Sequence, residues 1–443
     1  MRSISYTKSE ALFEFASRYL VAGVSGAARL NAATGRPLYL THGNGCRIYD
    51  VDGREFIDYN LSHGATFLGH NHPKVRQAIE QALQMGVITA YETEHHSHLA
   101  SLICAAVPCA ELVRFANSGS EATLVAIRAA RAYTRRYKVL KFEGHFHGLH
   151  DYVVWNAHGP ARDELPTYPY VPPQVESAGV PPQLAELVIV IPWNDPEALE
   201  QAMREHGHEI AAVICEPVNY NSGCIPPKPG FLNLLREQTT KVGAVLIFDE
   251  VLSSFRMAPG GAQQYYGVTP DICTMAKAVA NGLPLAVIAG RREVMSVLSP
   301  LGPAAHSGTY SGHLFSIMAA IASLEEIRKE GFYDQIFAKA ERLYKGLSDL
   351  FASHGIPARV QGLGARFGIF FGITQEVWNY QEAVRMDGEM NHRFIRACFE
   401  RGVYFHNYGK MAIGHHGFSA SHTMDDIDET LNRVESALHD LIG

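Results

Sequence analysis

The sequence predicts an α/β fold: a mostly parallel central sheet in a large domain, with a smaller α+β domain assembled from both ends of the chain. Three observations carry that expectation. From about residue 74, helix-patterned stretches alternate with short apolar runs, "ELVRFAN", "YKVLKFEG", "ELVIVIPWN", "IAAVICEPV", "GAVLIFDEV", "DICTMAKAV" and "LAVIAG". Such Val/Ile/Leu runs, bounded by Gly, Pro and Asp, fit strands covered on both faces. Their alternation with helices implies parallel pairing through crossovers. The ends of the chain read differently: a helix and a hairpin before this region, and long helices with a few strand-like pieces after it. The expected division is 1–73, 74–312 and 313–443.

Taken in order, the opening stretch places Ala11, Leu12, Phe15 and Tyr19 at near-helical spacing, as in an amphipathic helix. In "RIYDVDGREFIDY", residues 47–59, two alternating runs flank "VDG", which is a hairpin signature. Residues 151–183 are rich in Pro and Gly and read as one long loop, either a functional lid or a plain surface excursion. After about residue 313, "SIMAAIASLEEIRKE" and "YDQIFAKAERLYKGLSDLFASHG" are helical, and "DDIDETLNRVESALHDLI" closes the chain as a helix.

The chain has 443 residues, of which 47% are hydrophobic and 19% charged, with a net charge of −7. That suits two or three globular domains with ample core, and gives no electrostatic footprint for nucleic acid or an anionic membrane. The seven cysteines form no CxxC pair and read as free thiols of a reducing compartment. The N-terminal stretch has no signal-peptide apolar region, and no 18-residue apolar run marks a membrane span. A cytoplasmic protein is expected. The 22 histidines are scattered and suggest no metal centre.

In parallel sheets ligands bind at the carboxyl ends of the strands, so the residues following each run matter most. Lys277 ends one apolar run. By itself it fits a snorkelling side chain, an ion pair or a loop residue. Asp249 directly follows Val245–Phe248 at another strand end, where a carboxylate requires a cationic partner or several donors. Ser118, Gly119 and Ser120 precede a clear helix. They fit a phosphate cradle at the helix N-terminus, and Ser120 equally fits an ordinary N-cap. Phe146 and His147 stand at a Gly-flanked strand end, where Phe146 fits either stacking on a flat ligand or the core. One cofactor uses all these pieces. Pyridoxal 5'-phosphate requires a lysine, an acid facing its ring nitrogen, a phosphate cradle and a packed ring face. A low-polarity surround then keeps the lysine partly neutral and nucleophilic.

With "YDVDGREFIDY", "LGHNHP", "NSGSEA", "HFHG", "EPV", "FDEV", "AKAVANGLP" and "HSGTYSG" in this order, the chain resembles class III pyridoxal-phosphate aminotransferases of fold type I. It is similar in particular to the branch of glutamate-1-semialdehyde 2,1-aminomutase and related amino-acid transaminases. The resemblance implies that Lys277 is the Schiff-base lysine, Asp249 the acid at the ring nitrogen, and Val251 the residue behind the ring. It makes Gly119 and Ser120 the phosphate cradle and Phe146, where many relatives have tyrosine, the stacked aromatic beside His147. Glu216 and Asn221 line the site. Thr309 reaches the phosphate of a neighbouring subunit, which implies a homodimer with shared sites. Arg29, in "GVSGAAR", matches an arginine that binds the substrate carboxylate, with Arg366 next in line for that role. In residues 407–422 the aminomutase's glutamate is missing and Tyr408, Lys410, His415 and His416 stand instead. The expected activity is amino transfer between an α- or β-amino acid and a keto acid. The alternative is an intramolecular 2,1-aminomutase or an amino-acid epimerase on the same cofactor. A non-catalytic scaffold conflicts with the retention of Lys277 and Asp249.

Overall fold

The computed structural model describes residues 7–165, 167–409 and 413–442. The helix Thr7–Ala16 leads to a small sheet built from β1 (Leu40–Asn44), β2 (Arg47–Asp50) and β3 (Glu55–Asp58). The hairpin turn between β2 and β3 is fixed by Asp50, whose Oδ1 accepts from the amides of Asp52 (3.0 Å) and Arg54 (2.8 Å). This is the local side-chain closure that favours Asp in turns.

The central sheet contains the seven expected strands: β4 (Leu112–Ala116), β5 (Lys138–Phe142), β6 (Val188–Ile191), β7 (Ile210–Cys215), β8 (Val245–Glu250), β9 (Ile272–Met275) and β10 (Ala286–Gly290). Their order is β4-β10-β9-β8-β7-β5-β6. Pairings among β5 to β9 are parallel, while β10 runs antiparallel to both β9 and β4. The reversal follows from the connection. Only a short turn, Lys277–Ala280, separates β9 from β10, and a parallel return requires a longer crossover. Every residue of β7, β8, β9 and β10 is buried, as continuous apolar runs require.

The C-terminal region adds β11 (Ala358–Leu363) and β12 (Arg366–Phe371), then β13 (Val403–Tyr404) and β14 (His416–Gly417). β12 pairs with β11 and β14 in a three-stranded antiparallel sheet. β13 instead joins β3 in parallel, so the N-terminal sheet is completed by the far end of the chain. Helices Phe332–Ser353, Gly388–Glu400 and Met424–Ile442 cover these strands.

One expectation changes, and one left open gains detail. The N-terminal helix ends at Ala16, before Tyr19. Its apolar stripe also faces outward, with Phe15 59% and Tyr19 74% exposed; the helix is held instead through Ser9, which bonds Asp52. Among the described residues Phe15 and Tyr19 pack on each other, with ring centroids 5.1 Å apart. The long loop is tethered rather than free. Trp155 and Val171 are buried within it, and Lys141 donates to the Trp155 carbonyl. Among the described residues no helix is long and apolar enough to cross a membrane.

Candidate active site

The carboxyl ends of β7, β8 and β9 bring the expected residues together. Asp249 lies in the penultimate position of β8 and is buried. Its Oδ2 pairs with Nδ1 of His147 at 2.8 Å, and its Oδ1 accepts from the Val251 amide (3.1 Å) and from Thr274 Oγ1 (3.2 Å). Such donors hold the carboxylate in one orientation. Burial holds the His147 imidazole below its ordinary value even though Asp249 pulls the other way. The neutral ring then donates through Nδ1, and its buried Nε2 has no partner among the described residues.

Glu216 follows β7 and is also buried. It accepts from the Phe146 amide at 2.9 Å through Oε1 and from Asn221 Nδ2 at 2.8 Å through Oε2, so one carboxyl group fixes two other expected residues. Burial, and then the charge of Asp249, push its carboxyl up to about 8.

Lys277 leaves β9 with φ of 48°, a left-handed conformation unusual for lysine. The turn behind it is fastened by Asn281, which accepts from the Leu68 amide and donates to the Gly69 carbonyl. Burial pushes the Lys277 ammonium down to about 8. Asp249 and Glu216 oppose that shift, and the charges of Arg366 and Arg256 add to it. Lys277 makes no ion pair with any carboxylate among the described residues.

On the other side, the helix Gly119–Thr134 points its N-terminus at the same sheet edge. Its N-cap is Ser118, whose side chain accepts from the Glu121 amide. The N-cap reading for Ser120 is thereby replaced. Ser120 sits inside the first turn and accepts from the Leu149 amide at 3.1 Å. The amides of Gly119 and Ser120 keep the helix-end position that has no intrahelical acceptor. A Cβ on Gly119 would lie 2.9 Å from Val251 Cγ1, so the glycine lets the helix end approach β8 closely. This donor set fits pyridoxal phosphate: free amides and a helix dipole for the phosphate, a fixed carboxylate for the ring nitrogen, an aromatic face and a depressed lysine.

The remaining expected residues lie farther out. Arg29 ends a short turn, Ala27–Arg29, is exposed and donates to Ser25 Oγ at 2.8 Å. It borders a cavity of about 550 Å³ together with Ser62, His63 and His406. Thr309 is exposed in a loop whose Ser311 accepts from Asn117 of the same chain. Tyr408 bonds His63 through its hydroxyl at 2.7 Å, and His415 Nδ1 accepts from Arg366. His416 packs on Phe405 with ring centroids 4.7 Å apart. Lys410 lies outside the described residues.

Several contributors escaped sequence reasoning. Thr274 is the hydroxyl on Asp249, and its only sequence signal is a polar residue inside a buried strand. His158, from the long loop, sets its ring 5.8 Å from that of Phe146, which links the loop to the site. The run Leu61, Ser62 and His63 has φ of 54°, 54° and 56° and continues into Gly64 as a left-handed coil. Each such non-glycine residue costs about 1–2 kcal/mol. Strain of this kind concentrates where a site must be shaped, and here the coil turns Ser62 and His63 into the cavity.

Comparison with known proteins agrees with this geometry. The model of the family described as aminotransferase class-III matches residues 30–438. The chain is 40% identical over 435 residues to glutamate-1-semialdehyde 2,1-aminomutase 2 of Brevibacillus brevis, covering 97% of this chain and 98% of the relative. It is 39% identical over 433 residues to glutamate-1-semialdehyde 2,1-aminomutase of Persephonella marina, covering 97% and 98%. An omega-transaminase from Sphaerobacter thermophilus superposes with a TM-score of 0.90 at 31% identity, covering 98% of each chain. The protein therefore belongs to the class III aminotransferases, fold type I enzymes that depend on pyridoxal phosphate.

Proposed function

We propose that this enzyme moves an amino group between neighbouring carbons of one carboxylate-bearing substrate, in the manner of a 2,1-aminomutase. The observation that carries this reading is the near full-length similarity to relatives of that name. It supports the alternative expectation from the sequence better than the main one, transfer to a separate keto acid. That second reading keeps two observations in its favour: the likeness to an omega-transaminase and the lack of any acidic residue in 407–422.

The site residues divide the work as follows. Lys277, with an amine depressed to about 8, is neutral for a useful fraction of the time near neutral pH, so it takes a proton from one substrate carbon and returns it to another. Asp249, oriented by His147 and Thr274, holds a proton on the ring nitrogen. Bound pyridoxal phosphate supplies the electron sink that makes the substrate C–H acidic. The Gly119 and Ser120 amides take its phosphate, while Phe146 and Val251 pack its two faces and Glu216 with Asn221 fixes the backbone at Phe146. Residues 74–312 form the cofactor-binding domain, with 1–73 and 313–443 contributing the smaller one. The enzyme works in the cytoplasm as a homodimer. Exposed Thr309 and the uncovered stripe of Leu12, Phe15 and Tyr19 support that assembly.

The test is acceptor dependence. Holoenzyme given glutamate-1-semialdehyde and no keto acid is expected to form 5-aminolevulinate. If turnover of any amino donor appears only with 2-oxoglutarate or pyruvate, the intramolecular reading falls and the transaminase reading replaces it.

A further inference from the structure

The last helix, Met424–Ile442, carries Glu435 and His439. Four positions apart, they share one helix face. At the end of another helix, Phe332–Ser353, His354 is the capping residue. The rings of His354 and His439 meet edge to face, 5.0 Å apart at 70°. One ligand atom from each of His354, Glu435 and His439 lies within 4.8 Å of the other two. The scattered histidines of the sequence suggest no metal centre, yet folding brings two of them together beside a carboxylate.

Three features set this group apart from an ordinary polar surface. The first is the support of His354. Its Nδ1 lies 2.9 Å from the Leu350 carbonyl. A carbonyl oxygen accepts and never donates, so Nδ1 carries the ring proton and Nε2 the free lone pair. A ring N–H fixed on a backbone carbonyl is what orients a metal-ligating histidine. The second is the lack of other partners. Among the described residues Glu435 has no hydrogen bond or ion pair, and His439 has only its ring contact with His354. The basic residues nearby are engaged elsewhere: Arg401 pairs with Asp440 and bonds Ser436, and Arg433 pairs with Glu429. The third is the spacing. The Glu435 carboxylate stands close to both imidazoles and bonds neither. Ligands about 2.0–2.2 Å from a shared tetrahedral ion lie about 3.3–3.6 Å from one another. Glu435 and His439 are exposed, so their side chains reach that spacing by rotation alone.

We propose that His354, Glu435 and His439 form a site for a divalent transition metal of the zinc class, which clips the last turns of Met424–Ile442 to the end of Phe332–Ser353. The donor set selects the ion. Two imidazoles and one carboxylate suit Zn²⁺, whereas Mg²⁺ and Ca²⁺ take oxygen ligands. Three protein ligands leave the fourth tetrahedral position to water. Neither helix carries a residue of the cofactor site, so the ion has a structural task. Chain ends fray unless tied down, and this terminal helix also holds the N-terminal sheet, since its Thr430 accepts from the buried Tyr59 hydroxyl.

The test is calorimetric titration of Zn²⁺ into untagged, chelator-stripped holoenzyme, with Mg²⁺ as the hard-ion control. Wild type is expected to bind one Zn²⁺ per chain that the His354→Ala/His439→Ala double variant lacks, and Glu435→Gln to weaken that binding tenfold or more. Zn²⁺ binding to the double variant within threefold of wild type overturns the proposal, as does Mg²⁺ binding wild type as tightly as Zn²⁺. Hydrogen exchange reads the clip. Zn²⁺ is expected to slow exchange of the amides of residues 435–441 at least threefold in wild type and to leave them unchanged in the double variant. Equal exchange with and without Zn²⁺ in wild type overturns the clip. If the double variant does not fold by circular dichroism, His439→Ala alone, at an exposed position, decides by the same criteria. None of these readouts depends on which amino-group reaction the enzyme performs.

Discussion

Glu216→Gln is expected to change how the folded chain responds to pH. The folded enzyme holds the Glu216 proton up to about 8, against an ordinary carboxyl value of 4.5. Between those values the folded state binds a proton that the unfolded chain has released. Stability from this group is therefore complete below about pH 4.5 and is lost as pH rises toward 8. Each pH unit in that window corresponds to about 1.4 kcal/mol, so the wild-type carboxyl costs about 3 kcal/mol at pH 7. Glutamine mimics the protonated form: its carbonyl still accepts from the Phe146 amide, and a rotated Asn221 amide offers its oxygen to the new NH₂. The assay is urea unfolding of the cofactor-free enzyme from pH 5 to 7.5. The variant should exceed wild type by about 0.8 kcal/mol at pH 5 and about 4 kcal/mol at pH 7.5. Lys277 and every other titrating group is common to both proteins, so the difference isolates Glu216. A difference that does not change with pH would mean Glu216 is ionised in the folded state and the reasoning is wrong.

Lys277→Ala should abolish turnover, and borohydride reduction of wild-type holoenzyme followed by peptide mapping should place the pyridoxyl label on Lys277; label on another lysine rejects the assignment. Asp249→Asn should keep the fold and lower turnover by several orders of magnitude, each tenfold being about 1.4 kcal/mol; activity within about tenfold of wild type would make Asp249 a structural group. Sedimentation should show a dimer as the active species, and Thr309→Ala should weaken cofactor retention; a fully active monomer would rule out shared sites.

How far these features can be read from sequence depends on their range. The seven central strands were legible because burial on both faces leaves a continuous apolar signature, as in "VLIF" and "AAVIC". The reversal of β10 was not, since direction is set by connection geometry rather than composition. Lys277 shows the limit for single residues. Lys141 lies in a similar apolar run, is fully buried where Lys277 is half-buried, and is likewise pushed down to about 8 by burial. It differs in its surroundings, for it donates to the Trp155 carbonyl and serves the loop. Local pattern cannot separate the two lysines; the company of Asp249, Glu216 and His147 does. Thr274 and His158 reach the site through long-range packing that leaves no local trace. The N-terminal apolar stripe was legible as a helix face, but its outward orientation was not.

The pairing of β13 with β3 has a consequence for how the protein is made. Ile57 and Asp58 take their ladder partners, Val403 and Tyr404, from almost the other end of the chain, and Tyr59, fully buried, bonds Thr430 in the last helix. During synthesis the hairpin emerges before β13, and one edge of it stays open until Val403 and Tyr404 have followed it out of the ribosome. Contacts of such wide separation close late and slowly, and an unpaired strand edge is a template for association with another chain. The central sheet, whose strands are contiguous in sequence, is free to form before then. The vulnerable species in production is therefore a nascent chain with a finished cofactor-binding half and a waiting N-terminal edge. Lower growth temperature or added chaperone should raise soluble yield, and truncation before residue 403 should lower it sharply even though the central sheet is untouched.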